Sequence, residues 1–297
     1  MSPGLLPPSE AELEASRELD ALSLDDAFDV FDAADEGVNA AVRAAKPAIV
    51  KAIELVAERL ARGGRLLYAG AGTSGRLGVL DASECPPTFQ SDPTQVEGRI
   101  AGGPEALTSA VEGSEDSFEL GHAALADAGP CDVVFGIAAS GRTPWVHGAL
   151  ERARERGAAT VFLACVSFEA APDRADVSIR VLTGPEVLAG STRLKAGTAT
   201  KLVLNRVTTL VFARLGRVHG NRMIDLDTRA NAKLWRRGVR ILSDLTGLSE
   251  DAADTLLRRA EGRVKPAALM QLRGLALAAA RSSLAAHGDS LRHALGS

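Results

Sequence analysis

Two segments of the chain carry small polar residues directly after a short apolar run, and both contain the triplet Ser-Gly-Arg. The first segment is Arg65–Arg76 and the second is Asp132–Thr143. In each, the apolar run predicts a buried strand, and the polar residues after it open a helical pattern. Free N–H groups and the positive end of the helix dipole favour an anion at such a turn, and glycines let the backbone approach it. The pair therefore predicts a phosphorylated small molecule across the carboxyl ends of a parallel sheet.

The candidate phosphate-binding residues offer hydroxyl groups, backbone N–H groups or a positive charge. They are Gly72, Thr73, Ser74, Ser140, Gly141 and Thr143 in the two segments, with Ser191 and Lys195 in a third polar loop before a long helix. The run Gly70–Gly75 also fits the GxGxxG pattern of dinucleotide sites. That pattern expects an acidic residue where the second strand ends, but this strand ends Ile-Ala-Gly-Gly at 100–103. A dinucleotide site and a glycine turn without a ligand are the alternatives.

Two acidic positions near these turns could carry acid–base chemistry. Glu84 precedes the Pro-Pro pair at 86–87, and because proline does not continue a helix, the pattern predicts that Glu84 lies at a helix end. The second position is the cluster Glu112–Asp116, where Ser114 is expected to cap the next helix with Glu115 in its first turn. The alternatives are a solvated surface glutamate and a capping cluster, or two carboxylates in separate acid and base roles.

Strand and helix signals alternate through the middle of the chain. The predicted strands are Leu66–Ala69, Gln95–Ile100, Val133–Ala138, Thr160–Ala164 and Ser178–Val181. The predicted helices are Ala45–Arg62, Leu77–Glu84, Pro104–Val111, Ser117–Ala126, Thr143–Arg156, Lys195–Leu215 and Thr228–Ser243. This alternation predicts an α/β fold with a doubly wound parallel sheet flanked by helices. Residues 248–297 show only helical spacing and predict a small C-terminal helical bundle. The predicted domains are a helical extension at 1–44, the α/β domain at 45–247 and the bundle at 248–297.

Composition excludes several classes of protein. The net charge is −4 and aromatic residues make up 4% of the chain, which argues against binding to nucleic acid. Its start lacks a basic and then apolar signal segment, and no apolar run approaches the ~18 residues of a membrane span. The odd set of Cys85, Cys131 and Cys165 predicts neither a disulfide framework nor a zinc site, which fits the cytoplasm.

No set of His, Asp, Glu and Cys residues has the spacing of a metal site. His219 follows the predicted helix Lys195–Leu215, and Gly220 is expected to end that helix. The sequence therefore favours a capping or packing role for His219 over a catalytic one.

Several of these segments together resemble the N-acetylmuramic acid 6-phosphate etherases of the sugar isomerase (SIS) domain superfamily. The matching stretches are Gly70–Thr88, Ile100–Gly103, Val111–Ser117, Gly136–Pro144, Glu186–Asn205 and Gly220–Asp225. The resemblance implies an SIS-type sheet and a reaction that cleaves the lactyl ether with water, giving N-acetylglucosamine 6-phosphate and D-lactate. It further implies elimination followed by hydration, without a metal or organic cofactor.

By the same resemblance, Glu84 is the acid that protonates the departing lactate and later activates water, and Glu115 is the base at C2. The implied hydroxyl shell around the sugar phosphate comprises Thr73, Ser74, Ser140, Ser191 and Thr143. A homodimer with sites near its interface is also implied. The alternatives are a non-catalytic SIS-domain sensor that binds a sugar phosphate and regulates a protein partner, and an aldose–ketose isomerase.

Overall fold

The computed structural model of the chain describes residues 10–296. The predicted extension at 1–44 therefore begins with nine residues that lie outside the described part. The N-terminal helices are α1 (Leu24–Asp35), α2 (Gly37–Ala44) and α3 (Lys46–Ala61), preceded by 3₁₀ turns at Glu14–Ser16 and Leu19–Ala21. The hydroxyl of Ser23 caps α1 by accepting from the Asp26 N–H. Helix α3 buries the apolar stripe expected between Ala45 and Arg62, and it ends before Gly63, whose φ is 81°.

The five predicted strands are confirmed, each to within one residue at either end. They are β1 (Leu66–Gly70), β2 (Val96–Ile100), β3 (Val133–Ile137), β4 (Ala159–Ala164) and β5 (Val177–Arg180). All four pairings are parallel, and the strand order is β2-β1-β3-β4-β5. Every residue of β1, β3 and β4 is buried, as expected for central strands that helices cover on both faces.

Helices α4 (Gly72–Phe89), α5 (Phe118–Ala124), α6 (Pro144–Glu155) and α7 (Lys195–Arg214) connect or follow these strands. One face of the sheet, with Leu67 and Val134, shares an apolar cluster with Val146 of α6. On the other face the hydroxyl of Tyr68 donates to Asp81 of α4. Because alternate strand residues point to opposite faces, this arrangement confirms the doubly wound α/β fold.

The predicted helix at Pro104–Val111 is wrong in kind and length. The structure has a 3₁₀ helix over Gly103–Leu107 instead. The guanidinium group of Arg76 in α4 donates hydrogen bonds to the carbonyl oxygens of Leu107 and Ser109, at 3.3 and 2.9 Å. These carbonyl oxygens are therefore not paired within a helix. The contact with Arg76, a residue distant in sequence, thus outweighs the local preference of this segment for a helix.

The chain after residue 208 forms a compact unit of its own together with Glu84–Pro93. It holds the hairpin β6 (Val218–His219) and β7 (Arg222–Met223), then α8 (Ala232–Thr246), α9 (Glu250–Arg259), α10 (Val264–Arg273), α11 (Leu277–Ala286) and α12 (Leu291–Leu295). Residues 248–296 are helical without a strand, as the sequence predicted. The other compact unit comprises the residues up to Ser83 and Thr94–Thr208. The two sequence-based boundaries between the three predicted domains stay a prediction.

Two details of this second unit correct the sequence prediction. Helix α8 begins after Asn231, whose side chain accepts from the Leu234 N–H, rather than at Thr228. Gly220 does not end α7: its φ of 61° serves the turn of the β6–β7 hairpin, while Gly216 follows α7. The local Gly signal was correct for a turn but could not distinguish a helix stop from a hairpin.

Helices α5 and α6 touch through glycines. A Cβ atom at Gly148 of α6 would lie 2.0 Å from the carbonyl oxygen of Phe118, and one at Gly121 of α5 would lie 1.8 Å from that of Trp145. Only residues without a side chain allow the two backbones to approach this closely. Among residues 10–296, no helix is both long and apolar enough to cross a membrane.

We expect Gly148→Ala to lower the free energy of unfolding by about 1–3 kcal/mol, because the added methyl group must push α5 and α6 apart. Gly129→Ala is the matched control, since a Cβ there has as its nearest contact the Asp132 Oδ2 atom at 3.8 Å. Urea unfolding of both variants measures the difference. Equal free energies of unfolding for the two variants would contradict this prediction, because α5 and α6 would then accommodate the methyl group without loss of stability.

Candidate active site

The two Ser-Gly-Arg segments meet at one edge of the sheet. Strands β1 and β3 are parallel neighbours with Gly70 opposite Ile137, so the loops that follow them lie side by side. The chain order changes direction here, because β2 lies on one side of β1 and β3 on the other. In open α/β sheets, ligands bind outside the carboxyl ends of strands at such a switch point. The structure therefore brings both candidate phosphate loops together.

The first loop turns sharply from β1 into α4. A Cβ atom on Gly70 would lie 2.7 Å from the amide nitrogen of Gly75, and Gly72 has a φ of 50°. Helix α4 starts at Gly72, so Thr73 and Ser74 lie in its first turn, where backbone N–H groups lack an intrahelical acceptor. Both side chains are half-buried. The free backbone N–H groups and the positive end of the α4 dipole thus point to the same place, which favours the binding of an anion there.

The second loop has a comparable arrangement. Gly141 is buried with a φ of 72°, and its carbonyl oxygen lies 2.9 Å from a ring nitrogen of His147. The Ser140 hydroxyl accepts from the Arg142 N–H at 3.3 Å and keeps its own proton to donate. Thr143 occupies the N-cap position of α6 without a side-chain capping bond, so its hydroxyl is not committed to the helix. Pro144 is the first residue of α6, as predicted.

Glu115 lies beside the first loop. The segment from Ala110 to Glu115 and the loop residues Ala71 and Gly72 line one cavity of about 150 Å³. The carbonyl oxygen of Glu115 accepts from the Trp145 N–H at 3.0 Å, which ties this residue to the start of α6 as well. The backbone of Glu115 is therefore held close to both loops, and its side chain is exposed.

The predicted cap of α5 is wrong. The hydroxyl of Ser114 donates to the Val111 carbonyl at 2.7 Å, and Ser117 caps the helix instead by accepting from the Leu120 N–H at 3.1 Å. Glu115 consequently lies before α5 and not in its first turn. Ser114 and Ser117 both fit the local capping pattern. The hydrogen bond from the Trp145 N–H to the carbonyl oxygen of Glu115 holds the chain outside the helix at this point, so α5 begins only after Ser117.

The expectation that Glu84 ends its helix is also wrong. Helix α4 continues through Pro86 and Pro87 to Phe89. The ring of Phe89 stacks on Phe212 at 4.5 Å, and this packing holds the last turn although the prolines supply no N–H. Glu84 is exposed, three turns into α4, where the second compact unit begins.

The third polar loop is organised by an acid to which the sequence analysis assigned no role. The carboxylate of Glu186, 1% exposed, accepts from the N–H groups of Lys195 and Ala196 at 2.9 Å each. It stabilises the N-terminus of α7 through charge–dipole attraction. Lys195 is buried and its N–H is occupied, while Ser191 is half-buried. No sequence signal marks a cap nine residues before the helix.

A buried carboxylate of α4 pairs with a lysine of α7. The Asp81 carboxylate accepts from the Tyr68 hydroxyl at 3.0 Å and lies 3.6 Å from Nζ of Lys201 on α7. Burial raises the pKa of Asp81, although the bond from Tyr68 and the charge of Lys201 oppose the shift. Within residues 10–296, no three His, Cys, Asp or Glu side chains form a group that could hold a metal ion. Among the histidines, His219 has a pKa lowered by burial and by nearby arginines.

Comparisons with known proteins relate this chain to two sequence families and to several named relatives. Residues 48–154 match the family described as glucokinase regulatory protein N-terminal SIS domain, and residues 106–208 match the SIS domain family. The N-acetylmuramic acid 6-phosphate etherase of Nostoc punctiforme is 53% identical over 94% of this chain and 91% of its own length. The etherase of Gloeobacter violaceus is 54% identical over 94% of this chain and 92% of its own. A phosphoheptose isomerase structure from Francisella tularensis superposes with a TM-score of 0.48 at 18% identity, covering 65% of this chain and 99% of that one.

We expect Asp81→Asn to change the pH dependence of stability by removing one contribution that falls with rising pH. Because the folded-state pKa of Asp81 is raised above its ordinary 3.8, the folded chain binds more protons than the unfolded chain in the window above that value. The contribution of Asp81 to the free energy of unfolding therefore falls as the pH rises through this window. Urea unfolding at a series of pH values measures the slope, with the exposed Asp29→Asn as control. A slope in Asp81→Asn as steep as in the wild type would contradict the assignment.

Proposed function

This chain belongs to the N-acetylmuramic acid 6-phosphate etherases, and we propose that it acts as that enzyme, a carbon–oxygen lyase of cell-wall amino sugar recycling. It cleaves the D-lactyl ether of N-acetylmuramic acid 6-phosphate with water, giving N-acetylglucosamine 6-phosphate and D-lactate. One observation carries this proposal: relatives with this name are about half identical over nearly the whole chain. The adjacent anion-binding loops and the nearby carboxylate supply the chemistry that the reaction needs.

The phosphate of the substrate binds at the paired loops in this proposal. Hydroxyl groups and N–H groups of the residues singled out in the sequence surround it, namely Gly72, Thr73, Ser74, Ser140, Gly141, Thr143 and Ser191. Lys195 contributes the positive charge of its ammonium group. Support comes from the positive φ angles of Gly72 and Gly141, which turn the backbone at both strand ends. The start of α4 adds the favourable end of its dipole.

Elimination comes first. The carboxylate of Glu115 takes the proton from C2 of the open-chain aldehyde, and the electron pair left on C2 forms the C2–C3 double bond. The C3–O bond breaks, and the lactyl oxygen leaves with a proton from the Glu84 carboxyl group. The position of Glu115 supports its role, since it lines the same cavity as the first loop.

Hydration completes the reaction. Glu84, now ionised, takes a proton from water as the oxygen of that water adds to C3 of the unsaturated aldehyde. The proton held on Glu115 returns to C2, so that both carboxyl groups regain their starting states. All proton transfers are assigned to these two carboxylates, and the proposed cycle uses no metal or organic cofactor.

The sensor alternative has one observation in its favour, the match of residues 48–154 to a domain of a regulatory protein. That match covers a smaller part of the chain than the etherase relatives do. A sensor binds a sugar phosphate without releasing lactate, and an isomerase also releases none. Lactate release therefore separates the etherase from both alternatives.

The proposal also includes assembly and location. We propose a homodimer on the basis of the SIS-type resemblance, and a cytoplasmic location that suits three free cysteines. The net charge of −4 supports a small-molecule substrate rather than nucleic acid, and no membrane partner is proposed. Light scattering of the purified protein would measure the assembly.

Incubation with N-acetylmuramic acid 6-phosphate in ¹⁸O water is expected to give unlabelled D-lactate and N-acetylglucosamine 6-phosphate with ¹⁸O at C3. This pattern follows because the C3–O bond breaks on the sugar side and water supplies the new oxygen. Mass spectrometry with fragmentation locates the label at C3 apart from the exchangeable oxygen at C1. Binding of the sugar phosphate without lactate release would favour the sensor.

Glu115→Gln and Glu84→Gln are each expected to lower lactate release by about 10²–10⁴-fold, because each removes one proton transfer. They differ in a second measurement, the exchange of the C2 proton in D₂O. Glu84→Gln keeps this exchange because the base is intact, whereas Glu115→Gln loses it. Glu105→Gln, at an exposed position of the 3₁₀ helix, is the control. Near wild-type turnover in Glu84→Gln would remove Glu84 from the acid role.

A further inference from the structure

A second cavity opens on the other side of the first loop, between α4 and α7. It has a volume of about 340 Å³, and its walls include Thr73 and Leu77 of α4 and Arg193, Gly197 and Lys201 from the start of α7 and the loop before it. A Cβ atom at Gly197 would lie 3.6 Å from the methyl group of Thr73, so the two helix starts are close neighbours here. The cavity is therefore continuous with the candidate phosphate site at Thr73.

Both ionisable side chains in this wall are cationic. Lys201 is held in place by the buried Asp81 carboxylate at 3.6 Å and by the side-chain oxygen of Asn205 at 2.5 Å. About a third of the Lys201 side chain is exposed, so its ammonium group can still meet a ligand. Arg193 is exposed and, within residues 10–296, makes no ion pair or hydrogen bond through its guanidinium.

The cavity runs along α4 in a definite direction. Thr73 is at the phosphate end, Leu77 follows one turn later, and Lys201 pairs with Asp81 one further turn along. From Thr73 to Asp81 the helix rises about 12 Å. Glu84 lies three residues beyond Asp81 on the same helix, and its proposed partner is the lactyl oxygen. Lys201 therefore lies at the end of the cavity that faces Glu84, and Arg193 lies on the same wall in the loop before α7.

The proposed substrate carries two anionic groups, the phosphate at C6 and the carboxylate of the lactyl group at C3. The paired loops offer neutral donors, which suit the phosphate. We propose that Arg193 and Lys201 bind the lactyl carboxylate and so select the ether substrate over its sugar product, which has no carboxylate. This inference rests on the proposed function. It assigns Arg193 and Lys201 a binding role, in which the contact is lost once lactate leaves.

The test compares two ligands that differ in the lactyl group. In Arg193→Met and Lys201→Met, KM for N-acetylmuramic acid 6-phosphate is expected to rise about 10- to 100-fold, as for loss of a charge-assisted hydrogen bond. The inhibition constant of N-acetylglucosamine 6-phosphate is expected to stay within about twofold of the wild type, because this product never meets the two cations. Initial rates of lactate release, with and without the product, give both constants.

Arg214→Met, at the exposed end of the same helix, is the matched control and is expected to leave both constants unchanged. Lys201→Met also removes the partner of a buried acid, so thermal unfolding is measured alongside, and the exposed Arg193 provides a variant without that risk. Parallel increases in KM and the inhibition constant, or no change in either, would overturn the carboxylate assignment. Absence of lactate release by the wild type would overturn the proposed function instead, before any variant is compared.

Discussion

The candidate site depends on the parallel pairing of β1 with β3. Both strands are wholly buried, so their backbone groups must be satisfied within the sheet, and the register places Gly70 opposite Ile137. A shift of one residue would reverse which side chains face α4 and which face α6. The register therefore determines that two loops separated by more than sixty residues end at the same edge.

Close packing at glycines also fixes the backbone position of Glu115 relative to the sheet. Helices α5 and α6 approach closely at Gly121 and Gly148, and the chain just before α5 is bonded to the start of α6 through Glu115 and Trp145. In addition, Arg76 of α4 donates hydrogen bonds to two backbone carbonyl oxygens of the segment that follows β2. An exposed acidic residue thus has a well-defined backbone position, which is what proton transfer at a fixed carbon requires.

Four acidic residues of the chain divide by burial. Glu186 and Asp81 are buried, and each is satisfied by hydrogen bonds, the first to the start of α7 and the second to Tyr68. Glu84 and Glu115 are exposed. A buried carboxylate without partners would cost several kcal/mol, so the buried pair is explained by structure. The exposed pair has no such explanation and is the pair to which the proposed reaction assigns proton transfer.

Much of the fold follows from local sequence pattern. Apolar runs bounded by turn residues predicted all five strands, since a fully buried parallel strand has a continuous apolar sequence. Local signals also stand at the starts of α6 and α9, where Pro144 and Ser249 lie, because an N-terminal proline and a capping serine act within one helical turn. The residue types that carry the proposed chemistry were visible for the same reason.

The errors arose where a distant contact outweighed a local signal. Stacking of Phe89 on Phe212 stabilises the last turn of α4, which contains two prolines. Arg76 donates hydrogen bonds to the carbonyl oxygens of Leu107 and Ser109, in a segment whose sequence predicted a helix. The role of Glu186 and the cavity between α4 and α7 had no signal at all in the sequence. The sequence by itself determined the strands and the chemical groups, because those depend on neighbours along the chain. Only the tertiary structure decided which groups meet, because that depends on strand register and on close approach between segments far apart in sequence.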